Sequence, residues 1–239
     1  LVQGDRRKDS FVAAYRLTTG EEVWRIPREE PSTWATPNIL PAPSGDELIT
    51  NGQIIRAYDP RTGKLLWSLG PNSEVVVATP VIGDSLAFVT AGYPPVRPVY
   101  AVRPGQRGDL TLPKGESASK AVAWSHQRGG TYIPSPILYR GILYTCNNNG
   151  ILTAFNADAA AYTVVFTQNA TAALKLVGES YPFSAGSQFL LTFDNHNSVN
   201  GIREFARHKG AEIVYVPVLP PVTRATRSGD SRRGLMARV

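Results

Sequence analysis

The sequence of 239 residues holds a single cysteine, Cys146, so it has no internal disulfide framework and cysteine usage fixes no redox compartment. Long apolar runs are missing too, and none approaches the roughly 18 residues of a membrane span. Charged residues make up only 18% of the chain. The opening LVQGDRRKDS has neither an initiator Met nor an apolar signal core, so the expectation is a mature or truncated product without a signal peptide. GxGxxG, P-loop, HExxH and CxxC patterns are absent. The histidines His126, His196 and His208 lie far apart and show no metal spacing, so no metal site is expected. What the chain does have is turn formers and apolar residues. Gly (21) and Pro (19) together reach about a sixth of it and apolar residues 42%, a balance that suits an all-β protein rich in turns.

The formal net charge is +6, and its distribution argues against nucleic acid as a partner. Residues 1–160 carry 16 Lys/Arg against 14 Asp/Glu, while residues 161–239 carry 9 against 5. Arg224, Arg227, Arg232, Arg233 and Arg238 crowd the end of the chain with no aromatic residue between them. That composition predicts a disordered, solvated tail over 222–239.

An internal period organises the first part. AYRLTTGEEVW at 14–24 and AYDPRTGKLLW at 57–67 share Ala, Tyr, Thr, Gly and Trp at an offset of 43 residues. The same offset relates Ala35-Thr36-Pro37 to Ala78-Thr79-Pro80. A third copy starts at Ala101 and ends with AVAW at 121–124, its middle stretched by an insertion. Pro37, Pro80 and Pro136 mark successive block starts, and each block divides into short β-like runs separated by turn residues. A period near 43 with four strands per unit is a propeller blade. Asp59-Pro60-Arg61-Thr62-Gly63 reads as a hairpin turn. Trp24, Trp67 and Trp124 fall on the last strand of each unit, where recurrence argues for seam packing rather than ligand stacking.

These motifs resemble the PQQ-like β-propeller repeats of bacterial extracytoplasmic proteins, which include the quinoprotein dehydrogenases and the propeller lipoprotein of outer-membrane assembly. The resemblance covers residues 11–155, about three and a half four-stranded blades. It implies a periplasmic or extracytoplasmic location and a protein partner held by the blade loops. In the dehydrogenases the quinone sits between a Trp and a disulfide of adjacent cysteines. Cys146 has no neighbouring Cys, so PQQ is not expected and neither is quinoprotein dehydrogenase activity.

After residue 155 the repeat weakens, with the turn Gly missing and Phe166 expected in place of the Trp. The pattern changes to β-α-β-α-β: strands over 162–167, 189–193 and 213–216, and helices over 170–180 and 199–209, with Gly210 ending the second helix. YTVVFTQNATAALKLVGESYPF followed by LLTFDNHNSVNGIREFARHKGAEIVYVPV resembles class V aminotransferases over residues 161–220, in the cysteine-desulfurase and molybdenum-cofactor-sulfurase branch. The resemblance implies that Asn169, Ala170 and Thr171 cradle the phosphate of pyridoxal phosphate and that His196 covers its ring. The strands that carry the family's Schiff-base Lys and its pyridine-nitrogen Asp have no counterpart here. Without them, Asn169 reads as a plain N-cap and His196 as a loop residue.

The expectation is therefore a mainly β chain: a partial propeller over 1–160, a small α/β segment over 161–221, and the basic tail. No catalytic residue and no cofactor is expected in a propeller acting as a binding or scaffold platform, from an incomplete or fused gene product joined within 154–168. The alternative is a fragment of a pyridoxal-phosphate enzyme of class V.

Overall fold

The computed structural model describes residues 1–148, 150–158, 161–166, 170–192 and 197–216. The expected tail at 222–239 lies outside the described residues. Contacts divide the chain into two units, Leu1–Ala173 and Leu174–Val239.

The first unit is a succession of small antiparallel sheets. The first sheet is β1 (Val2–Gly4), β2 (Ser10–Tyr15) and β3 (Glu22–Arg28) in that order. The second runs from β4 (Asn38–Leu40) through β5 (Glu47–Thr50) and β6 (Ile55–Tyr58) to β7 (Leu65–Leu69). The third is built of β8 (Val81–Gly83), β9 (Leu86–Thr90), β10 (Val99–Val102) and β12 (Val122–His126). Between β10 and β12 the inserted residues add β11 (Gly108–Asp109), which pairs in parallel with β7 on the outer edge of the second sheet. The fourth sheet is β13 (Ile137–Tyr139), β14 (Ile142–Cys146), β15 (Ile151–Asn156) and β16 (Tyr162–Phe166). The result is a mainly β, partial propeller of three four-stranded blades preceded by three strands of another.

The repeat fixes the register. Ala14 faces Trp24, Ala57 faces Trp67 and Ala101 faces Trp124 across the last strand pair, and a bulge follows each Ala. In the fourth sheet the residue facing Ala154 is Thr163, and no shift follows. Phe166, expected at the Trp position, pairs instead with Ile151. The strand at 162–166, expected to open the α/β segment, lies antiparallel to β15 and completes the fourth sheet.

Alternation along each strand sends side chains to both sheet faces, so the core lies in the seams between blades. Leu40, Ile49, Trp67 and Leu69 of the second sheet pack against Val89, Tyr100 and Val102 of the third. Phe88, Val99 and Trp124 pack against Leu143 and Phe155 of the fourth. Trp67 and Trp124 are 1% and 3% exposed, as seam packing requires. Gly63 turns the β6–β7 hairpin at φ +74, and a Cβ there would lie 2.7 Å from the Trp24 ring.

The second unit contains a parallel pair, β17 (Gln188–Thr192) and β18 (Glu212–Val216), joined through α2 (Asn197–His208). Helix α1 (Ala170–Ser180) spans the division between the units. Leu191, Ile202, Ala206 and Ala211 form the buried interior of this unit. Gly178 lets Ile202 and Phe205 approach, since its Cβ would stand 3.0 Å from the Phe205 ring. Gly210, at φ +85, ends α2 as expected. No helix among the described residues is long and apolar enough to cross a membrane.

Candidate functional site

In an antiparallel blade the second-to-third strand turn and the blade-to-blade connection lie at the same end of the strands. Here that end carries residues 5–9, 51–54 and 91–98 together with 29–37, 70–80 and 127–136. This end is the loop face. The opposite end carries the short turns, among them Asp84-Ser85 and Asp59–Gly63.

Beneath the loop face a polar network fixes each connection. The Glu30 carboxylate is fully buried and accepts the backbone N–H of Gln53 at 2.7 Å and of Ile54 at 3.2 Å, and it pairs with Arg56. Arg28 Nε stands 3.1 Å from Asp5 Oδ1, both side chains being buried. Asn51 Nδ2 donates to the carbonyls of Ala78 (2.8 Å) and Thr90 (2.9 Å), and Asn72 Nδ2 donates to Asn51 Oδ1 (2.9 Å). Ser73 Oγ donates to the Tyr93 carbonyl (2.9 Å), and Thr90 Oγ1 accepts the N–H of Thr131 at 3.2 Å. The bonds of Glu30, Asn51, Ser73 and Thr90 hold the loops from below, whereas Arg28 and Asp5 Oδ1 meet as a buried ion pair without hydrogen-bond geometry. Two glycines allow the loops to stack backbone on backbone: a Cβ on Gly130 would lie 1.9 Å from the Ala91 oxygen, and one on Gly92 2.3 Å from Thr131.

Above this network, large side chains face solvent. Trp34 is 62% exposed, Ile133 55% and Tyr93 39%, and the Tyr93 and Tyr132 rings lie 5.4 Å apart. Trp34 donates its backbone N–H to the Val76 carbonyl at 2.8 Å, which anchors it to the neighbouring connection. The sequence reading missed these residues. A signal existed: Trp34 has Val77 at its repeat partner position, so its indole is not demanded by the blade pattern. The face offers aromatic and aliphatic surface on loops, a surface of the kind that serves binding.

At the opposite end an open groove of about 740 Å³ lies between Asp84, Arg103, Lys120 and Asp158. Two cations and two anions line it, so its field favours neither sign of ligand. His126 lies in the seam of the third and fourth sheets, 4.7 Å from the Tyr162 ring, and burial pushes its pKa down. The Cys146 thiol is raised by burial. No cluster of three or more metal-ligating side chains occurs among the described residues.

Two comparisons with protein families match the chain. The family described as outer membrane protein assembly factor BamB matches residues 8–178, well over half of the sequence. The chain belongs to this BamB family. Among solved structures, BamB from Moraxella catarrhalis aligns with 70% of this chain and 50% of its own at a TM-score of 0.42 and 14% identity. The aminotransferase class V family matches residues 148–226, overlapping the BamB match through β15, β16 and most of α1. In that part the chain is similar to molybdenum cofactor sulfurases. It is 52% identical to the Solanum lycopersicum protein over 68 residues, 28% of this chain and 8% of that one. It is 50% identical to the Oryza sativa subsp. japonica protein over 76 residues, 32% of this chain and 9% of that one. The chain thus matches less than a tenth of the length of these curated relatives.

For the pyridoxal phosphate of class V enzymes, Ala170 and Thr171 open α1, and a helix start is an anion site. Asn169 and His196 lie outside the described residues. Lys175 is exposed and pairs with Glu179 at 3.6 Å. Lys209 donates to the carbonyls of Glu179 and Tyr181, holding the end of α1. Both lysines are engaged elsewhere, so they do not fit the group as its covalent partner.

Proposed function

We propose that the blades of this chain form a non-catalytic platform that holds a protein partner on the loop face. The observation that carries this reading is the set Trp34, Tyr93 and Ile133, exposed on loops that buried polar groups lock from below. Rigid loops lose little entropy on binding, and exposed Trp and Tyr supply most of the energy at such contacts. In this reading the platform works at an outer membrane, the setting given in the family description. A photo-crosslinking side chain placed at position 34, 133 or 120 in living cells tests it. Adducts to one common protein are expected from 34 and 133 and not from 120, which lines the groove at the opposite end. No adduct from 34 or 133 above the yield from 120 would sink the reading.

A second reading concerns the overlap of the two family matches over residues 148–178. We infer a reading frame that joins a BamB-type propeller to a piece of a class V enzyme. In this reading the piece supplies the helix start for a phosphate, and among the described residues neither Lys175 nor Lys209 is placed as the covalent partner of pyridoxal phosphate. Sequencing transcripts across the codons for 154–168 in independent isolates tests the join. One unbroken frame in all of them would overturn it.

A further inference from the structure

We propose that the free face of the first sheet is an indole-docking site, which takes a Trp-bearing β-hairpin of a partner protein. Its turn stands at the end opposite the loop face, so the site does not rest on the platform reading. Two seams show what such a turn does. Trp24 of the first sheet donates its indole N–H to the Pro60 carbonyl, in the β6–β7 turn of the second, at 3.1 Å. Trp124 of the third donates to the Ala157 carbonyl, in the β15–β16 turn of the fourth, at 2.8 Å. Gly63 makes room for the ring, since a Cβ there would lie 2.7 Å from Trp24.

The β2–β3 turn of the first sheet has the same geometry. Arg16 N–H bonds the Glu21 carbonyl at 2.9 Å and Gly20 N–H bonds the Arg16 carbonyl at 2.8 Å. The matching bonds from Asp59 to Lys64 and from Gly63 to Asp59 are both 2.8 Å. Gly20 sits at φ +72 and Gly63 at φ +74. The repeat offset of 43 residues carries Tyr15 onto Tyr58 and Leu17 onto Pro60. The Leu17 carbonyl thus holds the position at which Pro60 accepts an indole. A Cβ on Gly20 would meet nothing within 4 Å, and Leu17 is 104% exposed. The receiving half of a seam is therefore formed here and open to solvent.

The sheet beside the turn fits the same occupant. Val12 packs against the second sheet, so Phe11, Ala13 and Tyr15, with Val2 paired to Ala13, lie on the other face. Arg25 lies 3.8 Å over the Phe11 ring and pairs with Glu22 at 2.6 Å, which leaves an apolar and aromatic face under one ion pair. An indole joins a large apolar ring to a single N–H donor, a combination that Phe lacks. A second copy of this chain does not supply that indole from its fourth sheet, where Thr163 faces Ala154 in place of a Trp. The occupant is therefore a hairpin of another protein, with a Trp on its outer strand.

The test titrates the nitrogen-15-labelled full chain with an unlabelled hairpin peptide that copies residues 10–28, with Gly20→Asn in the peptide so that it does not dock on itself. The amide signals of Leu17 and Gly20 are expected to shift and to saturate with a Kd below about 1 mM. Benzothienylalanine in place of the peptide's Trp keeps the ring shape and removes the N–H, and should weaken binding at least about fivefold. Gly20→Asn in the chain keeps the turn, because Asn tolerates positive φ, and puts a side chain where the ring would lie. It should weaken binding at least about tenfold, with an unchanged melting temperature confirming the fold. No shift at Leu17 and Gly20, equal binding of the Trp and benzothienylalanine peptides, or full binding by Gly20→Asn would overturn the proposal. Shifts confined to Arg61 and Gly63 would overturn it as well, since the peptide would then be displacing the chain's own first sheet. Dimerisation of the chain alone that Gly20→Asn abolishes would replace the partner protein by a second copy.

Discussion

The seam between the third and fourth sheets closes on a backbone carbonyl, and the seam between the second and third closes on a buried carboxylate. Trp124 Nε1 donates to the Ala157 oxygen at 2.8 Å, and in the first seam Trp24 Nε1 reaches the Pro60 oxygen at 3.1 Å. Pro60 and Ala157 hold the same repeat position, the second residue after the aromatic Tyr58 or Phe155. In the middle seam that position is Pro104, where the insertion begins, and its carbonyl accepts Gln106 Nε2 instead. Trp67 Nε1 turns to Glu47 Oε2 at 3.0 Å. Glu47 is fully buried and is matched by Gly105 N–H at 3.1 Å and Arg107 at 3.0 Å, both from the insertion. The difference teaches that a buried indole N–H must keep an acceptor when a loop changes. Here the loop that removed the carbonyl also delivered the partners that make a buried carboxylate tolerable.

Substitutions at these seams break or sharpen that contrast. The largest effect is expected from Glu47→Ala, about 3 kcal/mol in denaturant unfolding, because it orphans the Trp67 indole and leaves a cavity. Glu47→Gln keeps an acceptor for the indole and should cost less. Next comes Trp124→Phe, at about 2 kcal/mol from the lost buried bond and lost volume. Trp24→Phe should cost below about 1 kcal/mol, since Trp24 is only half-buried. If Trp124→Phe proves costlier than Glu47→Ala, the carboxylate is not the key acceptor of the middle seam. The smallest effect is a pH dependence confined to the last seam. Burial keeps the His126 pKa below its usual value, and its Nδ1 accepts the Arg128 N–H at 3.4 Å, which also favours the neutral ring. The unfolded chain therefore takes up this proton first. The contribution is fully present above about pH 6.5 and is lost as pH falls through the folded pKa. His126→Gln should flatten the stability profile below about pH 6.5, whereas Glu47→Gln should leave that acid limb in place.

The repeat made most of the propeller legible, because a Trp, an Ala and a turn Gly at a fixed offset of 43 residues specify both strand and register. Strand β1 and strand β11 were not visible, the latter because two polar residues, Gly108 and Asp109, carry no alternation. Glu47 carries no sequence signal of its role, since a glutamate signals burial only when its partners are known, and those lie far along the chain at 105 and 107. The strand at 162–166 reads as the start of another fold because the turn Gly is missing and Phe166 is read in place of the Trp, whereas the residue that faces Ala154 is Thr163. Trp34 is a departure from the repeat, with Val77 at its partner position, and a departure is harder to see than the pattern it breaks.

The short parallel strand β11 has a consequence beyond the seam it helps to close. The last strand of a blade exposes a row of backbone N–H and C=O groups that a foreign strand can join. Over the second blade that row is partly taken by Gly108 and Asp109, and Leu110 N–H also bonds the Ser68 carbonyl at 2.8 Å. A two-residue edge is too short to template further growth. Fibril-like self-association of this protein should therefore start at the rim of the first, third or fourth blade, with the second acting as a gatekeeper.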